Sequence, residues 1–176
     1  NPVLATVVFV LTELMFFTAL ISAYLVIRAG TGEWAPPESV RLPVVATLFN
    51  TLVLLLSGVL MFVATRAFAG EGASSKVKTL YGWSMALGCT FVGIQGYEWV
   101  ELIKFGMTMT SGVFSACFFL IIGCHGIHAI SAILAMLALF VSMVRGSAKP
   151  DHLVAMTIYW SLIVGVWPIL FGLVYF

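Results

Sequence analysis

Three sets of residues in this 176-residue chain have side chains capable of chemistry in an otherwise inert background. Glu13 is the single charge in "FVLTELMFFTALISAYLV", residues 9 to 26. His125 and His128 sit in "GCHGIHAI", and their i, i+3 spacing puts both on one face of a helix. Glu98 opens the "EWVELIK" segment that also holds Glu101 and Lys104. A lone carboxyl in an apolar run is either a neutral acid that hydrogen-bonds a neighbouring helix or a group in a proton path or lipid site. Desolvation favours its uncharged form. Paired imidazoles can ligate haem or a metal, but two on one helix cannot grip an iron from both sides. The remaining histidine, His152, stands beside Asp151 in a turn. An interhelical polar contact is therefore the preferred reading, with Glu13 as one possible partner. Gly123 and Gly126 would let another backbone approach the histidines. No metal site is expected in this chain.

The elements that position these groups follow from composition. The chain is 62% hydrophobic and 9% charged, with a net charge of +1. Soluble domains are about half apolar and about a quarter charged, so this is an all-α, polytopic membrane chain. Its charge leaves no electrostatic footprint for nucleic acid. The three cysteines, Cys89, Cys117 and Cys124, lie in apolar runs and read as small hydrophobes. A span needs about 20 apolar residues, and five runs qualify: about 3–27, 42–65, 79–99, 111–144 and 153–176. They form a single membrane domain over 1–176. The first connection is stiffened by Pro36 and Pro37, the second reads as a flexible basic loop, and the fourth as a tight basic turn. The chain begins at Asn1, so a preceding segment is expected; no signal peptide is recognisable.

Arg66, Lys76, Lys78, Arg145 and Lys149 share the N-terminal face, against Arg28, Arg41 and Lys104 on the other. Five against three places the N-terminus in the cytoplasm and the C-terminus in the periplasm. At about 1.5 Å per residue, Glu13 then lies near mid-membrane, and the histidine pair falls at similar depth. Trp34, Tyr97, Trp99, Trp160 and Trp167 read as interfacial anchors, with Trp34, Trp160 and Trp167 also suiting packing roles. Glu101 and Lys104 read as an ordinary charged helix end, with Glu98 one turn deeper.

Six ordered segments resemble subunit III of the haem–copper oxidases. "LTELMFFTALISAYLV" is similar to that family's Ser-Glu-x-Met-Phe-Phe helix, with Glu13 on its buried glutamate. "EWAPP" resembles the Trp-Pro-Pro loop, and "FNTLVLLLSGV" the Leu-Asn-Thr…Ser-Gly pattern through Asn50, Thr51, Ser57 and Gly58. "GIQGYEW" resembles the segment carrying Gln95 and Glu98, "SGVFSACFFLIIGCHGIHAISA" the one carrying His125 and His128, and "IYWSLIVGVWPILFGLVYF" the last helix. The chain departs at Ser161 and Val164, where the family has His and Asp. It also departs at Val154 for a Glu, at Ser111 for an Asp, and at Thr65-Arg66 for a His pair. The departures point to a divergent, short five-helix bacterial form.

The resemblance implies a non-catalytic subunit of a bacterial cytochrome c oxidase in the inner membrane. It implies no redox centre here, with haem and copper in partner subunits I and II. It further implies phospholipid in a V-shaped helix cleft, direct packing on subunit I, and support of proton uptake during turnover. A small subunit IV and a respiratory supercomplex are further partners the family admits. Glu13, His125, His128, Arg66 and Glu98 are then expected to line a lipid site or to form a buried polar cluster, with Asn50, Ser57, Gly58, Gly123 and Gly126 in helix packing. Other readings remain open on the residues. Equivalent five-helix chains accompany quinol oxidases and nitric oxide reductases. An independent proton or solute channel using Glu13 predicts flux from the chain alone, and a haem protein using His125 or His128 predicts a Soret band.

Overall fold

The computed structural model describes residues 1–32, 34–36 and 42–175. Pro37, Arg41 and Phe176, which entered the loop, charge and span readings above, lie outside the described residues. Five helices account for nearly all of the rest: α1 (Pro2–Gly30), α2 (Val44–Glu71), α3 (Ser75–Lys104), α4 (Val113–Val144) and α5 (Pro150–Tyr175). Their starts carry recognisable signals. Asn1 caps α1 by accepting the Val3 amide at 3.0 Å, and Ser74 caps α3 by accepting the Val77 amide at 3.3 Å. Pro150 opens α5, where its missing N–H costs nothing.

The helices overrun most of the apolar runs. The segment expected as a flexible loop between the second and third spans is instead helical to Glu71 and again from Ser75. Gly72, at φ 62°, makes the sharp reversal that any residue with a Cβ would resist. Once a helix is nucleated, propagation into water continues until a residue stops it, so polarity alone does not mark its end. Four helices are long and apolar enough to cross a membrane: α1, α2, α4 and α5. The 30-residue α3 falls short of that apolarity. Lys76, Lys78, Gln95, Glu98, Glu101 and Lys104, with its glycines and aromatic residues, dilute it.

Helices α2, α3, α4 and α5 close a ring of neighbours, and α1 lies outside against α5 and, more lightly, α4. Half of the 26 residues of α5 are buried, a larger share than in any other helix and against only Phe17 and Tyr24 of α1, so α5 is the central post. At the far end of α1, Tyr24 Oη and Arg28 Nη1 donate to the Leu173 carbonyl at 3.2 and 3.3 Å, tying it to the last turn of α5.

A seam of small and polar residues joins α2, α3 and α5. Ser57 Oγ donates to the Ser84 carbonyl at 2.7 Å, and Ser84 Oγ returns the bond to the Ser57 carbonyl at 2.8 Å. Trp160 Nε1 donates to Ser57 Oγ at 3.1 Å, and Trp167 Nε1 to Thr51 Oγ1 at 2.9 Å. Both tryptophans are fully buried, which corrects their reading as interfacial anchors. A ring whose N–H finds an acceptor on the facing helix no longer needs the membrane surface to satisfy it. Of the other expected anchors, Tyr97 is exposed, while Trp34 and Trp99 are half-buried against Phe114 and Phe119.

Gly88 is where that seam is tightest. A Cβ there would stand 2.9 Å from two ring carbons of Trp160. Glycine to alanine inside a helix ordinarily stabilises by roughly 1 kcal/mol. Here the methyl would collide with an immobile indole, and overpacking of that kind costs about 1–3 kcal/mol. Gly88→Ala should therefore lower the thermal midpoint of the detergent-solubilised chain. Gly82→Ala, whose Cβ would meet only Phe140 at 3.8 Å, should leave it unchanged or higher.

Candidate functional site: a split set of buried polar groups

Glu13 projects from α1 toward α4, where His128 Nε2 lies 2.7 Å from its Oε2. The other ring nitrogen of His128, Nδ1, is 2.6 Å from the Cys124 carbonyl one turn back. A carbonyl oxygen only accepts, so Nδ1 carries a hydrogen. The short Nε2–Oε2 contact then has to hold one further proton. With it on the ring the pair is imidazolium and carboxylate; with it on oxygen the pair is neutral imidazole and carboxylic acid. Net charge is zero in both arrangements. That neutrality is what makes a carboxyl tolerable at this depth, because an unpaired charge inside a membrane is expensive. Phe16 and Phe17 flank the imidazole, with ring centroids 6.0 and 5.2 Å away. Both side chains of the pair remain partly exposed, at 20% for His128 and 16% for Glu13.

His125, one turn before His128, takes no part in this contact. It is fully buried among aromatic rings, with Trp167 at 5.1 Å, Phe17 at 6.2 Å and Phe91 at 6.4 Å between centroids. The ring of Phe17 lies edge-on to both imidazoles. Glu98 belongs to a third place, buried between α2, α3 and α5. Thr47 Oγ1 lies 2.9 Å from its Oε2, and Gln95 Nε2 donates to the same oxygen at 3.1 Å. Gln95 Nε2 is also 3.4 Å from the hydroxyl of Tyr175. Arg66 is exposed on α2, its guanidinium 4.7 Å above the Phe62 ring. The expected single polar cluster is thus divided among separate places. Residues on four different helices had been grouped by type and depth, and helix rotation sends them to different interfaces.

The glycines beside the histidines also differ from expectation. A Cβ at Gly126 would meet nothing within 4 Å, so no neighbouring backbone presses there. At Gly123 the near atom is a ring carbon of Trp99 at 3.3 Å, and at Gly58 it is a methyl of Val164 at 3.0 Å. Asn50 reaches across to donate to the Phe91 carbonyl at 3.0 Å. Glu101 and Lys104 form an exposed pair at 2.7 Å, of little energetic weight. Among the described residues no three His, Cys, Asp or Glu side chains gather as metal ligands would.

Residue-type reasoning missed Thr47, Ser84, Tyr175 and Gly88. One signal was present: Thr47, Thr51, Leu54, Ser57, Met61, Ala64 and Phe68 recur every three or four residues along α2 and are all buried. Two of the grooves among the described residues lie beside these groups. One, about 430 Å³, runs between α1, α4 and α5 past Thr6, Phe9, Ser142, His152 and Tyr159. The other, about 460 Å³, lies between α3 and α4 and is lined by Trp99, Ile103, Phe119, Leu120 and Ile127.

Comparison with known proteins identifies the family of the chain. The family described as "Cytochrome c oxidase subunit III" matches residues 3–176. "Cytochrome c oxidase subunit 3" of Thermostichus vulcanus is 32% identical over 181 residues, covering 98% of this chain and 86% of that protein. "Probable cytochrome c oxidase subunit 3" of Nocardia farcinica is 30% identical over 175 residues, covering 97% and 85% respectively. "Cytochrome c oxidase subunit 3" of a Synechocystis species is 28% identical over 177 residues, covering 96% of this chain and 72% of that protein.

Proposed function

Since this chain belongs to the cytochrome c oxidase subunit III family, we propose that it is the non-catalytic third subunit of a bacterial cytochrome c oxidase. In this reading it packs on the proton-pumping subunit I, beside subunit II, in the inner membrane. The carrying observation is the match along residues 3–176, reinforced by relatives such as those of Thermostichus vulcanus and Nocardia farcinica, 32% and 30% identical over nearly the whole chain. Haem and copper belong to the partner subunits; the present chain supplies helix surface. Its large exposed apolar area, including Leu48, Phe49, Leu52 and Leu56 on α2, suits contact with another membrane subunit or with lipid.

All five helices cross the membrane in this reading. The length of α3, about 45 Å at 1.5 Å per residue, exceeds a hydrocarbon core of about 30 Å, and α2 and α4 flank it. The basic residues Lys76 and Lys78 put its N-terminal end on the same face as that of α1, with the chain's N-terminus cytoplasmic. Phospholipid occupies the groove between α1, α4 and α5, its polar end near His152, Ser142 and Thr6 and an acyl chain against Phe9 and Tyr159. Glu13 and His128 lie deeper than that headgroup and act as an interhelical lock.

The test is a reduced-minus-oxidised visible spectrum of what co-purifies with the tagged chain in mild detergent, with lipid analysis of the same sample. An a-type haem signal with retained phospholipid is expected. Haem b or o without haem a would move the chain to a quinol oxidase or nitric oxide reductase. No haem, in a sample shown to retain other membrane partners, would overturn the assignment.

A further inference from the structure

Helix α5 is the central post, yet one face of it is bare. Ser161, Gly165, Ile169 and Gly172 recur every three or four residues along it and are all exposed. The helices α2 and α1 stand on either side of that face. Thr51 and Gly58 of α2 meet Trp167 and Val164 on one flank, and Tyr24 of α1 meets the Leu173 carbonyl on the other. Among the described residues α1 and α2 do not touch each other. The bare face is therefore the floor of a trough. Its α2 wall carries the exposed Leu55 and Phe62, each one turn on from Thr51 and Gly58.

Two polar groups on this floor are unmatched. Exposed hydroxyls elsewhere on the helices, those of Thr12, Thr18, Ser22, Thr90 and Ser131, donate to a carbonyl three or four residues back. Ser161 makes no hydrogen bond among the described residues. Pro168, half-exposed at the edge of the same face, leaves the Val164 carbonyl without its usual helical donor. At about 16 Å from the start of α5, Ser161 lies near the middle of the span. Hydrocarbon makes an unsatisfied polar group costly there. An acyl chain fills space but offers no hydrogen-bonding group. A helix supplies both: a Cβ at Gly165 or Gly172 would meet nothing within 4 Å, so a second backbone can come close, and a polar side chain on it can reach Ser161.

We infer that this trough is the docking surface for a transmembrane helix of the partner, which lies against α5 between α1 and α2. That helix presents a hydroxyl or amide side chain at the level of Ser161 and the Val164 carbonyl. The partner is the haem-bearing subunit I, an identification that rests on the function proposed above. The outer face of α3 is also exposed around Gly93 but makes no such demand, because its Thr90 hydroxyl is already bonded to the Ala86 carbonyl. It faces lipid.

The test compares the haem and phospholipid that co-purify with the tagged chain in mild detergent, for wild type, Gly165→Leu and Gly93→Leu. A Cβ at either glycine meets nothing within 4 Å, so both variants should keep the wild-type thermal midpoint as isolated chains. Gly165→Leu overfills the trough and should cut co-purifying a-type haem about tenfold. Gly93→Leu should leave it unchanged. If Gly165→Leu keeps its haem but loses phospholipid, lipid is the occupant and the inference is overturned. Unchanged haem and unchanged lipid overturn it equally. Should Gly165→Leu melt early, Ser161→Leu replaces it with the same outcomes. A wild-type chain that brings down no haem would sink the assignment to an oxidase, and the docking surface with it. Loss of haem b or o in place of haem a would keep the surface and change only the partner.

Discussion

Trp160→Ala is expected to lower the unfolding free energy of the chain by about 3–5 kcal/mol. The indole is wholly enclosed, rests on Gly88 and donates to Ser57 Oγ. Ser57 is in turn held by the reciprocal pair of bonds with Ser84, so one ring closes α2, α3 and α5 together. The physical origin of the loss differs from that in a soluble protein. Lipid tails are as apolar as leucine, so burial from water contributes little once helices are inserted, and packing and interhelical bonds carry association. Removing the indole opens a cavity that the rigid helices on both sides cannot collapse. Trp160→Phe should cost far less, about 1–2 kcal/mol, because most of the volume stays and one hydrogen bond of about 0.5–1.5 kcal/mol is lost. Steric trapping in bicelles measures these differences directly. Equal stability of the Ala and Phe variants would show that Trp160 does not hold the seam.

The second large effect concerns Glu13 and His128, and its signature is an inequality between the two partners. His128→Leu removes the group that shares a proton with the carboxyl and leaves an acid facing apolar surroundings. A loss of about 2–3 kcal/mol is expected, on the scale of placing a charged residue at mid-span. Glu13→Gln should cost less than about 1 kcal/mol, since the amide can donate to Nε2 and keep the hydrogen bond. Replacing both by leucine should recover most of what His128→Leu alone loses, because a buried pair exchanged for apolar groups is often neutral. The same trapping experiment, run on both singles and the double, reads the coupling. A double variant weaker than His128→Leu would mean that Glu13 has a second, independent role.

These two cases also mark what residue types and spacing could reveal. The length and apolarity of the runs made this a helical membrane chain, since both are properties of ten to thirty consecutive residues. Depth along a helix is equally local, at about 1.5 Å per residue, so Glu13 and the histidines were legible as groups buried at similar levels. The segments around them also carried the family resemblance. Other features were not local. His125 and His128 share a helix face, yet one meets a carboxylate and the other only aromatic rings. The choice depends on how far α4 is rotated against α1, a matter of a few tens of degrees.

Trp160 and Trp167 were read as anchors because tryptophan is enriched at membrane interfaces, although both stand well inside α5. Only the placement of Ser57 and Thr51 on the facing helix gave each indole N–H an interior acceptor. In a soluble helix the buried face announces itself as an apolar stripe on a polar cylinder. Here both faces are apolar, so hydropathy does not say which one meets protein and which one meets lipid. Composition and period by themselves determined the class, the helices and the depth of the unusual groups. The tertiary structure alone decided which of those groups touch, because in hydrocarbon that choice is made by shape and hydrogen bonding, and the hydrophobic pattern does not record either.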